Sequence, residues 1–136
     1  MGELRKNMKE YRMIVAGGRD FADEDLLTST LDELREELIE IEIVSGHASG
    51  ADKMAEAYAK RLGIPLKVFP AEWKKYGRGA GPIRNREMLD YILEGNPVVT
   101  AFWDGQSKGT QNMIEQARKA GVDCRVIMYA LNLNKE

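Results

Sequence analysis

Short apolar runs alternate with helical patterns along nearly the whole chain. Arg12-Met13-Ile14-Val15-Ala16 stops at Gly17-Gly18, which reads as a buried strand ending in a tight turn. Leu27, Leu31, Leu34 and Leu38 then recur at helical spacing, forming one apolar face, with Asp23 placed to cap the N-terminus. Ile41–Ser45 reads as a second strand, ending at Gly46. Met54 or Ala55, Tyr58 and Leu62 mark a second helix, closed by Gly63. Pro65–Phe69 is a third strand, and between Pro70 and Gly81 the pattern dissolves into a loop containing Gly77, Gly79 and Gly81. Pro82 suits the first residue of a third helix, where a missing N–H costs nothing. Ile83, Met88, Leu89, Ile92 and Leu93 supply its buried side, and Gly95 ends it. Pro97–Trp103 is a fourth strand. The polar turn Asp104–Gly109 leads into a helix with Met113, Ile114, Ala117 and Ala120 inside, and Val126–Tyr129 is the last strand.

Five strands alternating with four helices predict an α/β fold, a single doubly wound parallel sheet with helices on both faces. Right-handed crossovers make 3-2-1-4-5 the simplest strand order. The domain spans residues 12–130, between an N-terminal extension (1–11) and a C-terminal tail (131–136). In such sheets ligands bind beyond the strand C-termini where the chain reverses direction. Three strand-to-helix turns carry glycine and small polar residues: Gly17-Gly18-Arg19-Asp20, Ser45-Gly46-His47-Ala48-Ser49-Gly50-Ala51-Asp52, and Asp104-Gly105-Gln106-Ser107-Lys108-Gly109-Thr110. In the proposed order they follow strands one, two and four, which lie side by side. Each offers backbone N–H groups at a helix N-terminus, a setting for phosphate or pyrophosphate. The plainer reading of any single turn is that such connections need glycine and caps anyway; the convergence of three favours an anionic ligand.

The 136 residues, 43% hydrophobic and 31% charged, suffice for one domain with its own core. The single Cys124 excludes an intramolecular disulfide framework and points to a reducing, cytoplasmic compartment. One histidine and one cysteine exclude ordinary structural zinc sites. No apolar run reaches membrane-span length, and Met1–Arg12 has no signal-peptide core. Twenty basic against 22 acidic residues give a net charge of −2, which argues against nucleic-acid binding through bulk charge. The charge is uneven, however. Acids dominate Asp20–Glu42, whereas Lys74, Lys75, Arg78, Arg84 and Arg86 cluster between Glu72 and Glu87. Neither a P-loop nor a Gly-x-Gly-x-x-Gly fingerprint is read in the chain, and no Gly-x-Ser-x-Gly esterase elbow is expected.

Arg84 is a candidate phosphate clamp and Asn85 a candidate partner for a sugar or base; Arg19, directly after Gly18, has a similar case. Lys108 reads as solvent-facing. Asp52 and Asp104 would repel a phosphate nearby, so each needs another role. Ribose hydroxyls suit them, and Mg²⁺ held together with ligand oxygens is a second option. His47, the only histidine, has a pKa range suited to acid–base work, but no paired acid is evident in sequence. Trp73 or Tyr76 is placed to stack on a nucleobase, and Trp103 is as well suited to the core.

Gly17-Gly18-Arg19-Asp20-Phe21, Ser45-Gly46-x-x-x-Gly50-Ala51-Asp52, Ala71-x-Trp73, Ala80-Gly81-Pro82-x-Arg84-Asn85-x-x-Met88 and Ala101-Phe102-Trp103-Asp104-Gly105-x-Ser107-x-Gly109-Thr110 stand in one order. The ordered set resembles the YspA-like, YpsA-related branch of the SLOG superfamily, whose name joins the Smf/DprA and Lonely-guy groups. The match runs from about Met13 to Val126. The resemblance implies a Rossmann-like domain, of phage or bacterial type, that binds a nucleotide or nucleotide-derived ligand in its glycine-rich cleft. The residues it marks for that cleft are Gly17, Gly18, Arg19, Ser45, Gly46, Gly50, Asp52, Arg84, Asn85, Asp104, Gly105, Ser107, Gly109 and Thr110, with Trp73 stacking on the base. Lonely-guy relatives cleave the base from nucleoside monophosphates and carry Gly-Gly-x-Gly-Thr-x-x-Glu. Here Met113 stands at the glutamate position and Glu115 is the nearest acid, which weighs against that chemistry.

The leading expectation is therefore a module that binds an ADP-ribose-like molecule or a nucleoside phosphate. A second reading is a hydrolase of the N-glycosidic bond, with Asp104 or Glu115 assisting a ribosyl cation. A third, suggested by the Smf/DprA side of the resemblance, is DNA binding through the Lys74–Arg86 stretch. Superfamily relatives often associate through surface helices, so a homodimer is expected.

Overall fold

The computed structural model describes residues 10–130. Apart from Glu10 and Tyr11, the predicted extension (1–11) lies outside the described residues, as does the tail (131–136). The elements run β1 (Glu10–Gly17), α1 (Glu24–Leu38), β2 (Glu40–Ser45), α2 (Ala51–Leu62), β3 (Leu66–Val68), α3 (Trp73–Tyr76), a 3₁₀ turn (Gly77–Gly79), α4 (Ala80–Leu93), β4 (Asn96–Trp103), α5 (Lys108–Lys119) and β5 (Asp123–Met128). The strands form one parallel sheet in the order β3-β2-β1-β4-β5. This is the predicted α/β, Rossmann-like arrangement.

The pleat of β1 explains why its apolar run is continuous rather than alternating. Met13 and Val15 pack with Leu27, Leu31 and Leu34 of α1 and with Ala55 and Tyr58 of α2. Ile14 and Ala16 point the other way, toward Met88, Leu89 and Ile92 of α4 and Met113 and Ala117 of α5. Both faces are covered, so both sets must be apolar. The core thus has two layers, one on each side of β1 and β4. No helix among the described residues is long and apolar enough to cross a membrane.

Local signals fix several boundaries. Asp23 accepts a hydrogen bond from the Leu26 N–H at 3.0 Å and starts α1. Gly63 closes α2 in the left-handed conformation, where glycine carries no Cβ penalty. Other expectations need correction. The loop expected from Pro70 to Gly81 contains α3 and the 3₁₀ turn, so Pro82 is the third residue of α4, not the first. That position is still tolerated because the first four N–H groups of a helix have no partner within it.

Leu62, Ile83, Leu93 and Ala120 were expected inside and are exposed. Leu62 is the last residue of α2, beside an edge strand of only three residues. The buried line of α4 runs through Asn85, Met88, Leu89 and Ile92; at about 100° per residue Ile83 falls nearly opposite Asn85. Ala120 is the C-cap of α5, and Val122 takes the inner position.

The turn after β1 meets the start of α2 backbone to backbone. A Cβ on Gly17 would stand 2.5 Å from that of Ala51, and one on Gly50 would overlap the Gly18 carbonyl. Gly50 is also at φ +77°. Gly50→Ala is therefore expected to lose about 3 kcal/mol or more, combining a clash with left-handed strain. Gly63→Ala, at φ +70° with nothing nearby, carries the strain alone and should lose about 1–2 kcal/mol. Urea denaturation of both variants separates the two effects; equal losses would remove the clash from the account.

Candidate functional site

Because β2, β1 and β4 are parallel neighbours, the turns that follow them emerge at the same edge of the sheet. With the α3–α4 segment they surround a cleft of about 630 Å³, within the size range of small-molecule sites. Gly17, Gly18 and Arg19 line it from the first turn, Asp52 from the second, and Asp104, Ser107, Gly109 and Thr110 from the third. Trp73, Arg84 and Asn85 close the remaining side. Lys108, expected to face solvent, is exposed but stands at the cleft rim. Gly46 instead lines an adjoining recess of about 480 Å³. Ser45, Gly50, Gly105 and Glu115 line neither space.

Several of the turn amides expected to be free are already bonded within the protein. The His47 N–H donates to Ser45 Oγ (3.1 Å), the Ala48 N–H to Asp52 Oδ2 (3.1 Å) and the Ala51 N–H to the Gly18 carbonyl (3.4 Å). Those of Gln106 and Ser107 both donate to Asp104 Oδ1 at 2.8 Å. The exception is the first turn of α5. Ser107 makes no side-chain cap bond there, and its hydroxyl pairs with that of Thr110 at 3.2 Å. First-turn amides have no partner within a helix, so this terminus keeps anion-binding capacity.

The glycines, too, make room mainly for protein. A Cβ on Gly18 would stand 2.5 Å from the Tyr129 hydroxyl, and one on Gly46 equally close to Arg84 Nη1. Ser45 is fully buried, with its hydroxyl donating to Glu56 Oε2 at 2.7 Å. It is buried in the core, and its hydroxyl is engaged within the protein.

The electrostatics distinguish the charged candidates. Arg84 donates from Nη1 to the Gly46 carbonyl and from Nε to Asn85 Oδ1 (3.0 Å). Burial lowers its pKa while Asp52 opposes that shift, and a guanidinium remains charged throughout. Asp52 is pushed up to about 6, first by burial, with Ala48 N–H and Arg84 pulling the other way. Asp104 lies lower than an ordinary carboxyl because it accepts from its own turn. One of its oxygens is thus committed to holding that turn. Asn85 is spent structurally: its amide donates to the Gly109 carbonyl (3.3 Å) and Asn112 Oδ1 (3.0 Å), tying α4 to α5. Among the described residues no three metal-ligating side chains come together, so an ion at Asp52 or Asp104 would depend on ligand oxygens.

Of the aromatics, Trp73 stands at the junction of cleft and recess with the Arg19 guanidinium 5.5 Å from its ring. Tyr76 lines neither space and lies against Lys75. Trp103 clamps the third turn, its Nε1 donating to the Ser107 carbonyl at 3.0 Å. The basic stretch does not form one groove: Arg78 and Arg84 line the cleft, whereas Arg86 pairs with Asp90 on the exposed side of α4.

Three features escaped sequence reasoning. His47 does have a paired acid: its Nδ1 lies 2.9 and 3.1 Å from the oxygens of Glu56, which is almost fully buried. Glu56 follows Asp52 by one helical turn, a polar line inside an otherwise apolar face, and that spacing was the available signal. Tyr129 reaches the cleft from beyond β5 and closes it beside Gly18. The expectation that no Gly-x-Ser-x-Gly occurs is also corrected: Gly105-Gln106-Ser107-Lys108-Gly109 spells that motif of an esterase nucleophile elbow. Ser107 nevertheless has an unstrained backbone (φ −58°, ψ 120°) and bonds to Thr110, while the only histidine bonds to Glu56.

A family model described as "YspA, cpYpsA-related SLOG family" matches residues 11–76, which carry the first two turns and Trp73. The Gene 61 protein of Mycobacterium phage D29 is 32% identical over 117 residues, covering 82% of this chain and 91% of that protein. No solved structure matched the chain.

The Asp52 carboxyl has a testable cost. Its unfolded value is near 3.8 and its folded value about 6, so the folded state holds the proton more tightly. The stability this group contributes is therefore greatest below about pH 4 and falls as the pH rises to about 6. Asp52→Asn should raise stability at pH 7.5 by up to about 3 kcal/mol and give no gain at pH 4, measured by thermal and urea denaturation. A loss at pH 7.5 would show that Arg84 holds the ionised form favourably.

Proposed function

This chain belongs to the YspA, cpYpsA-related SLOG family, and on that premise we propose that it binds a nucleotide or nucleotide-derived ligand in the cleft at the ends of β1, β2 and β4. An ADP-ribose-like molecule and a nucleoside phosphate are the candidate classes. The observation that carries the reading is the lining of the cleft. Arg19, Arg84 and Lys108 supply positive charge, the first turn of α5 supplies amides, and Trp73, Pro82, Met88 and Met113 supply apolar surface. A molecule with an anionic end and a flat apolar end has a use for each. Asp52 and Asp104 are acceptors for ribose hydroxyls, a role in which a carboxylate does not meet a phosphate.

No observation favours N-glycosidic hydrolysis to the same degree. Met113, not an acid, faces the cleft, and Glu115 is exposed on the other side of its helix. DNA binding is supported less still, because the basic side chains do not form a continuous track.

Isothermal calorimetry with nucleoside mono- and diphosphates and ADP-ribose should give saturable binding. Arg84→Ala should weaken it at least tenfold, about 1.4 kcal/mol, and Arg19→Ala should weaken it less. Absence of binding across the panel at millimolar ligand would end the proposal. Chromatography of the same mixtures should show no free base; base release abolished by Asp104→Asn would replace binding with hydrolysis.

A further inference from the structure

We infer that the ligand's phosphate sits not at the start of α5 but in the smaller recess beside the cleft, clamped by His47, Arg19 and Arg84. The inference rests on the nucleotide-binding reading and specifies how the ligand lies. The first argument is charge. Asp20, Asp52 and Asp104 all line the large cleft, and each repels a phosphate. The recess is lined by Arg19, His47, Ser49 and Arg84 together with glycine, alanine, proline and tryptophan, and by no carboxylate. The cleft sets Arg19, Arg78, Arg84 and Lys108 against those carboxylates, whereas the recess holds cationic groups with no carboxylate in its wall, which makes it the better suited of the two to an anion.

The second argument is the construction around His47. Glu56 takes the Ser45 hydroxyl and His47 Nδ1 on its two oxygens. Nδ1 is thereby committed, and Nε2 is the ring nitrogen left for a ligand. The nearly buried carboxylate behind the ring holds the imidazole at the recess wall through Nδ1. His47 stands at φ +65°, a conformation uncommon for a residue with a side chain. The Ser45 hydroxyl holds it there by accepting the His47 N–H. Strain retained at an exposed turn residue, with a buried acid behind it, points to use of that side chain. The charged groups that bear on the imidazole are Glu56 and Asp52 of α2, with Arg19 from the first turn and Arg84 of α4 across the recess.

The third argument is continuity. Arg19, Ala48, Trp73 and Arg84 border both spaces, so one molecule can extend from recess to cleft. Arg84 uses one Nη1–H and its Nε–H within the protein, and its other three N–H groups remain for phosphate oxygens. The nucleoside then lies in the cleft, with its hydroxyls toward the carboxylates and its base toward the apolar wall.

The test exploits the single histidine, whose imidazole signals are unambiguous in proton NMR of the untagged chain. Pyrophosphate should shift them saturably. His47→Asn, chosen because asparagine tolerates the left-handed backbone, should weaken ADP binding about tenfold and leave adenosine binding unchanged. Pyrophosphate that moves the amides of Lys108, Gly109 and Thr110 but not the imidazole would overturn the subsite while leaving nucleotide binding intact. Failure of ADP to bind at all would remove both.

Discussion

Main-chain contact between the turn after β1 and the start of α2 is the constraint on which the cleft depends. The Gly18 carbonyl accepts the amides of Phe21 and Ala51 and presses on Gly50, so two strand-to-helix turns are locked at one depth. Tyr129 fills the space above Gly18 from the other side, through β5. Arg84 reaches across from α4 to the Gly46 carbonyl and pins the second turn to the opposite layer of helices. Each contact requires the absence of a Cβ. The site is thus assembled by close packing of the protein on itself, and the cleft is the space those contacts leave.

That construction puts polar groups where an apolar core would be more stable. Asp52, Glu56 and Asn85 are nearly buried, and each needs partners because an unpaired polar group in such a place is costly. Ser45 and His47 satisfy Glu56, Ala48 and Arg84 support Asp52, and Gly109 and Asn112 satisfy Asn85. Asp52 is the least well compensated, as its raised pKa records. Its Oδ2 accepts the Ala48 N–H, and the carboxyl remains at the cleft wall as an acceptor.

The fold was legible because hydrophobic spacing carries it. The run Met13–Ala16, the Leu27–Leu38 face and the Asp23 cap all correspond to what the structure contains, and the strand order follows from crossover handedness. The rim of the site was legible as a set of turns, but the use of each residue was not. A glycine in sequence does not say whether it admits a ligand or a neighbouring carbonyl, and here Gly18, Gly46 and Gly50 admit protein groups. The His47–Glu56 pair was hidden because a left-handed residue and a helix start intervene. Tyr129 was hidden because its partners come from the far end of the chain. Helix ends misled for a related reason: Leu62 and Leu93 fit the period but lie where the sheet no longer covers them.

Two anion-accepting features therefore compete at one edge of the sheet, the first turn of α5 and the cationic recess around His47. Their difference is one of neighbours. Asp104 bonds the amides immediately before α5 and leaves its negative charge at that terminus, offsetting the helix dipole that would attract a phosphate. The recess has no such charge in its wall; of the acids near it, Glu56 lies behind the imidazole and is bonded to it, and Asp52 accepts from the Ala48 N–H. A carboxylate in front of a cation cancels it for an incoming ligand, whereas one behind a histidine fixes the ring by bonding its Nδ1.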